Sequence, residues 1–187
     1  MAGEIQRDQL ETNAGVLAMS IPVSDFLQDT GIPIVPAETA GCFNLSLAAN
    51  VLSIQGEICD NETEVSVGEF QFSLPPEYVD GAAISIRFPA ALIKTAAAVN
   101  NGSAVTVTAY VQASGAVGGN IVASGSPFTF AADDTWYDKD VVLTPTSRAA
   151  GDVINVVVSA SIIDSEAGGG TLRLNMDVPQ ILMSIRG

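Results

Sequence analysis

The chain has 187 residues, of which 48% are apolar and only 15% charged, and it contains no histidine. Its formal charge of −14 comes from 21 acidic and 7 basic residues, and the basic ones (Arg7, Arg87, Lys94, Lys139, Arg148, Arg173 and Arg186) are scattered. The clustered cations that hold phosphate backbones or anionic bilayers are missing, which argues against nucleic acid and membrane partners. Every His-dependent catalytic triad is excluded as well.

Residues 1–13 are polar and show no strand pattern, so an extended or short helical arm is expected there. The start, Met-Ala-Gly-Glu-Ile-Gln-Arg-Asp, lacks the basic and apolar regions of a secretory signal, so synthesis in the cytosol is expected. A first apolar piece runs from Gly15 to Val23, too short to span a bilayer. Gly31, Pro33 and Pro36 then mark residues 24–41 as a connecting loop. The expected division is an arm and connecting loop over 1–40 and a sandwich domain over 41–187.

From there a period of two dominates. Ile84, Ile86 and Phe88 alternate with Ser85 and Arg87. Val105, Val107, Ala109 and Val111 alternate with Thr106, Thr108 and Tyr110. Leu172, Leu174, Met176 and Val178 alternate with Arg173, Asn175 and Asp177. Such a rhythm marks antiparallel strands with one covered face. Two segments break parity. The apolar set moves from odd to even positions across Gly68-Glu69, which predicts a β-bulge at Gly68. It moves again at Pro179-Gln180, where a proline without an N–H belongs at an edge or bend. Val153–Ile163 is apolar on both faces, as in a central strand or one at a subunit contact. The helix candidate is the short Ala90–Ala98 run. Pro75-Pro76, Asn100-Asn-Gly, Gly115–Gly119 and Gly168–Gly170 read as turns. Seven to nine strands between such turns predict an all-β, two-sheet antiparallel sandwich with jelly-roll or Greek-key topology.

Few residues carry candidate chemistry. Asp133, Asp134, Asp138 and Asp140 flank Trp136 and Tyr137. Three readings fit: a solvated loop whose Trp closes the end of the sandwich, a calcium loop, or a sugar site. In the last, Trp136 or Tyr137 is the stacking platform, and Asp134 and Asp138 accept hydrogen bonds from hydroxyls. No phosphate-binding glycine motif is present, no cofactor or metal is expected, and no enzymatic activity is expected. Cys42 and Cys59 lie on two strand-like pieces; if these pair as a hairpin the thiols could bridge, and otherwise they are buried thiols in a reducing compartment. Two cysteines without histidine fall short of a zinc site. Asn44, Asn61 and Asn101 begin Asn-x-Ser/Thr triplets, expected to stay unmodified without a signal peptide.

The stretch Phe70 to Phe88 is a strand ending in Leu-Pro, then Glu-Tyr, a Gly turn and a second alternating strand carrying Arg87. It resembles β-sandwich proteins encoded among the structural genes of tailed bacteriophages. The later Ser-Pro-Phe-Thr-Phe, Thr-Trp-Tyr, Val-Val-Leu-Thr-Pro, Ala-Gly-Asp-Val-Ile-Asn-Val and Leu-Arg-Leu-Asn-Met runs are similar to their second half, so that the likeness spans residues 64–186. The resemblance implies a virion accessory protein, foremost a capsid decoration or cement protein. Such a protein is made in the host cytoplasm, sits as a homo-oligomer (a trimer) on the capsid exterior and binds the major capsid protein. The alternative it leaves is a carbohydrate- or receptor-binding sandwich of a phage fibre or tail. No catalytic residue carries over.

Overall fold

The computed structural model describes residues 15–28, 31–36, 40–48, 51–95, 97–113, 116–131, 134–166 and 169–186. The expected arm over 1–13 lies outside them. In chain order the strands are β1 (Gly15–Ser20), β2 (Leu27–Gln28), β3 (Asn44–Ala48), β4 (Val51–Gln55), β5 (Thr63–Ser73), β6 (Ile84–Thr95) and β7 (Ala104–Ala113). There follow β8 (Ala116–Val117), β9 (Val122–Ser124), β10 (Phe128–Thr129), β11 (Tyr137–Leu143), β12 (Val153–Ile163), β13 (Thr171–Met176) and β14 (Gln180–Ile185). A single 3₁₀ turn, Val23–Asp25, separates β1 from β2.

The strands form two antiparallel sheets, as the period of two predicts. The larger sheet runs β1-β14-β6-β13-β4-β3, with β11 and β9 on the far side of β6; the smaller runs β10-β7-β12-β5-β2, with β8 on β7. The chain changes sheet after β1, β2, β4, β5, β6, β8, β9, β10, β11 and β12, so its longest strands pair with partners distant in sequence. Residues 15–28, read from sequence as arm and loop, supply β1 and β2 and bury Phe26 completely.

Even-numbered side chains of β5, β6 and β12 and odd-numbered ones of β7 meet between the sheets. Ile84, Ile86, Phe88 and Leu92 face Phe70, Val107, Ile154, Val156 and Val158 in one continuous core. A file of six phenylalanines runs through it: Phe43, Phe26, Phe70, Phe88, Phe128 and Phe130, with successive ring centroids 5.8, 5.6, 6.5, 5.9 and 5.4 Å apart. Each fully buried ring contributes roughly 1.5–3 kcal/mol from area alone. Tyr78, from the Glu-Tyr motif, is buried too and donates its hydroxyl to Ala82 O at 2.6 Å, closing the turn into β6.

Two sequence expectations need correction. First, β5 has no bulge at Gly68: its ladder with β12 runs without a shift from Ser73↔Val153 to Thr63↔Ile163. Val65 and Val67 simply face outward, while Ser66 and Gly68 face in. Gly68 is inside because the rings of Phe26 and Phe43 occupy the space a Cβ would need. Second, the alanine-rich run from Ala90 continues β6 to Thr95 and is no helix; its ladders with β11 and β13 outweigh local helix propensity. Of the two readings of Cys42 and Cys59, the buried thiols hold, and no disulfide joins them. The hairpin does form, but its register pairs Asn44 with Gln55, which when continued places Glu57 opposite Cys42. Cys59 instead bridges to Leu172 and donates to Glu62 O (3.0 Å) and Ile162 O (3.3 Å). Burial pushes its thiol above the usual range.

The break at Pro179 has the expected cause. β13 pairs Met176 with Ala90, and β14 pairs Gln180 with Arg87, so four residues on one side span three on the other. The two strands form one bent line along the same side of β6, and the extra residue switches the inward parity from even to odd.

Candidate binding face

Because inward and outward positions alternate, the outer face of the larger sheet can be read row by row across its ladders. One row runs Asn44, Gln55, Asn175, Ala91, through β3, β4, β13 and β6. On the far side of β6 the last pair of β11 is Tyr137↔Ala90, so the same register continued one step sets Trp136 opposite Ala91. Trp136 is the sole tryptophan of the chain and is 46% exposed. With strands spaced about 4.8 Å apart, this row is roughly 19 Å long.

The far half of the row is polar and recessed. Arg173, two residues before Asn175 on the same face, donates from Nη1 to Gln55 Oε1 at 2.8 Å. Gln55 in turn donates from Nε2 to Ser53 Oγ at 3.4 Å. Asn44 is only 5% exposed. Between Pro36, Asn44, Ser46, Gln55, Gly56 and Arg173 lies a cavity of about 150 Å³. The amide oxygen of Asn175 is shielded from water and accepts no hydrogen bond. Burying such an acceptor unpaired costs roughly 1–3 kcal/mol.

The residues singled out from sequence do not converge on one spot. Trp136 and Asp138 belong to the outward side, and Tyr137 is half-buried on the inward side. The ammonium of Lys139 lies 5.0 Å from the Tyr137 ring centroid and 5.4 Å from that of Phe130, a cation–π arrangement. The carboxylates are engaged. Asp134, at φ 59°, accepts from the Lys94 N–H at 2.7 Å and ties its loop to the end of β6. Arg87 donates bidentately to Asp140, from Nε at 2.8 Å and Nη2 at 2.9 Å, and lies 3.7 Å from Asp138. The Arg87 bonds hold the Asp140 carboxyl below the usual range, against the opposing effect of burial. Asp133 lies outside the described residues, and among those described no cluster of three or more Asp, Glu or Cys is placed to hold a metal ion.

Sequence reading saw Arg173 and Asn175 only as the polar half of a strand. Pairing with β4 and β3, which are more than a hundred residues away, makes them a surface. The row offers amides, a guanidinium and an indole, none of which exchanges a proton near neutral pH.

No protein-family model matches the chain, and no curated protein is detectably related to it. Solved structures similar to it include the CBM22-1 xylan-binding domain of Xyn10C from Paenibacillus barcinonensis. That match has TM-score 0.47 and 11% identity, over 93% of this chain and 97% of that one. The xylan-binding module CBM15 matches with TM-score 0.47 and 10% identity, over 92% and 100%. The enzymatically active domain of bacteriophage CBA120 tailspike protein 4 matches at TM-score 0.36 and 10% identity, over 89% of this chain and 19% of that one. Likenesses this distant do not identify binding residues, and the expectation of a capsid decoration protein gains no support from them.

Proposed function

We propose that the chain is a non-catalytic carbohydrate-binding sandwich that takes a neutral glycan across the outer face of the larger sheet. The observation that carries this reading is the single row from Trp136 over Ala91 to Asn175, Gln55 and Asn44. An exposed indole offers a stacking face for a sugar ring. Ala91, between the indole and the amides in this row, is small and fully buried, so no bulky side chain projects between them. The amides and Arg173 supply donors and acceptors in a fixed line for hydroxyls. A net charge of −14 disfavours polyanionic glycans and leaves neutral ones. This displaces capsid decoration as the leading reading; recognition of a surface glycan by a fibre or tail component is compatible with the phage resemblance.

Affinity electrophoresis through a panel of soluble neutral polysaccharides tests the idea. At least one should retard the wild type. Trp136→Ala and Asn175→Ala should each weaken that retardation about tenfold, equivalent to about 1.4 kcal/mol, with melting unchanged for the exposed Trp136 position. Failure of every polysaccharide to bind, or binding indifferent to both substitutions, would remove the reading.

A further inference from the structure

From the open edge of β1 we infer that the protein pairs with a second copy of itself, extending the larger sheet across a two-fold axis at Ala18. β1 pairs with β14 from Gly15↔Ile185 to Ser20↔Gln180 without a shift, and no described residue pairs with its other side. The same register continues to Ile21, whose N–H donates to Pro179 O at 2.9 Å. Bonded positions alternate along an antiparallel ladder. Met19, Leu17 and Gly15 therefore bond to β14, and Val16, Ala18 and Ser20 direct their N–H and C=O groups to the open side.

Soluble monomers blunt such an edge with lysine, proline, a bulge or a short strand. β1 has six residues with no charge, no proline and no bulge. Val16 is 75% exposed. Beside it the outer face forms a groove of about 250 Å³ with Ala83, Ser85, Leu182, Met183 and Ser184, none of them ionisable. In a chain of charge −14, a second copy meets least repulsion where neither carries charge. The open positions are also self-complementary. Setting Ala18 opposite Ala18 of the second copy sets Val16 opposite Ser20, so that the bonding residues of both strands coincide and six backbone hydrogen bonds form. Even-numbered side chains of β1 stay on the outer face of both copies, so the uncharged strip of Ser85, Leu182 and Ala18 continues into its symmetry mate.

Light scattering and sedimentation velocity on the full chain should give twice the monomer mass at high micromolar concentration. Two variants should halve it. Ala18→Pro removes an outward N–H without touching the β14 ladder, and Val16→Asp places a charge on an already exposed site. Circular dichroism and melting of Val16→Asp should match the wild type, which separates dissociation from unfolding. Ala18→Cys should cross-link to itself under mild oxidation, since bonded antiparallel partners lie about 5.5 Å apart at Cα. Val16→Cys should not, because its mate is offset by four residues, about 14 Å. A wild-type monomer, a trimer, a dimer that survives both Ala18→Pro and Val16→Asp, or equal cross-linking of the two cysteine variants would each overturn the inference. None of these readouts involves a glycan.

Discussion

Asp164 shows how one side chain can hold several loops. Only 2% exposed, it follows the end of β12 and accepts from the N–H groups of Val99 (2.9 Å) and Glu166 (3.1 Å) through Oδ1. Burial alone would raise its carboxyl, but the backbone bonds outweigh it and hold the group below the usual range. An acid with a lowered folded pKa adds stability above its unfolded value, and that stability is lost as pH falls through the folded one. Asp164→Ala leaves two donors unpaired and should cost roughly 2–4 kcal/mol in urea titrations at neutral pH. Glu64 behaves in the opposite sense. The carboxyl of Glu57 beside it pushes its pKa from the ordinary 4.5 up to about 6. The folded state thus binds more protons than the unfolded one between these values, and stability falls as pH rises through that window. Glu64→Gln should raise the melting temperature at pH 7, and the gain should vanish as pH approaches 4.5, as thermal scans across that range would reveal.

At the scale of elements, β5 illustrates a glycine kept for what packs on it. An alanine inside a strand is ordinarily more favourable than glycine. At Gly68 the added methyl would press into the rings of Phe26 and Phe43. Gly68→Ala should therefore destabilise by about 1–3 kcal/mol through overpacking, read as a lower denaturant midpoint with unchanged slope. The same strand explains why parity alone misleads. A valine facing outward, such as the 42% exposed Val65, mimics a register shift in the sequence. At Pro179 the shift is real, because an extra residue lies between two ladders to the same strand. β12, apolar on both faces, lies centrally between β5 and β7, with its even-numbered side chains buried and its odd-numbered ones half-buried.

For the whole molecule, charge and topology act together. Two copies joined at β1 would carry their glycan rows on the same side of one continuous sheet, giving a bivalent surface whose avidity exceeds that of either row. With −14 on each copy, association is opposed by long-range repulsion that salt screens over about 8–10 Å at physiological ionic strength. The dimer fraction should therefore rise between low and moderate salt, which sedimentation at fixed protein concentration measures; a fall would indicate that ion pairs hold the contact instead.

The alternation of Ile84-Ser-Ile-Arg-Phe or Leu172-Arg-Leu-Asn-Met carries its own answer, since a period of two can bury one face only as a strand. An all-β sandwich was therefore readable from local pattern. So was the bend at Pro179, because proline cannot donate to a ladder. Trp136 stood out as the sole indole of its kind in the chain. Its relation to Asn175, Gln55 and Asn44 did not, and neither did the separation of Cys42 from Cys59. These depend on which strands lie side by side and in what register, which nothing local specifies. Only the packing of two sheets around a shared core fixes that order, and the outer surface follows from it.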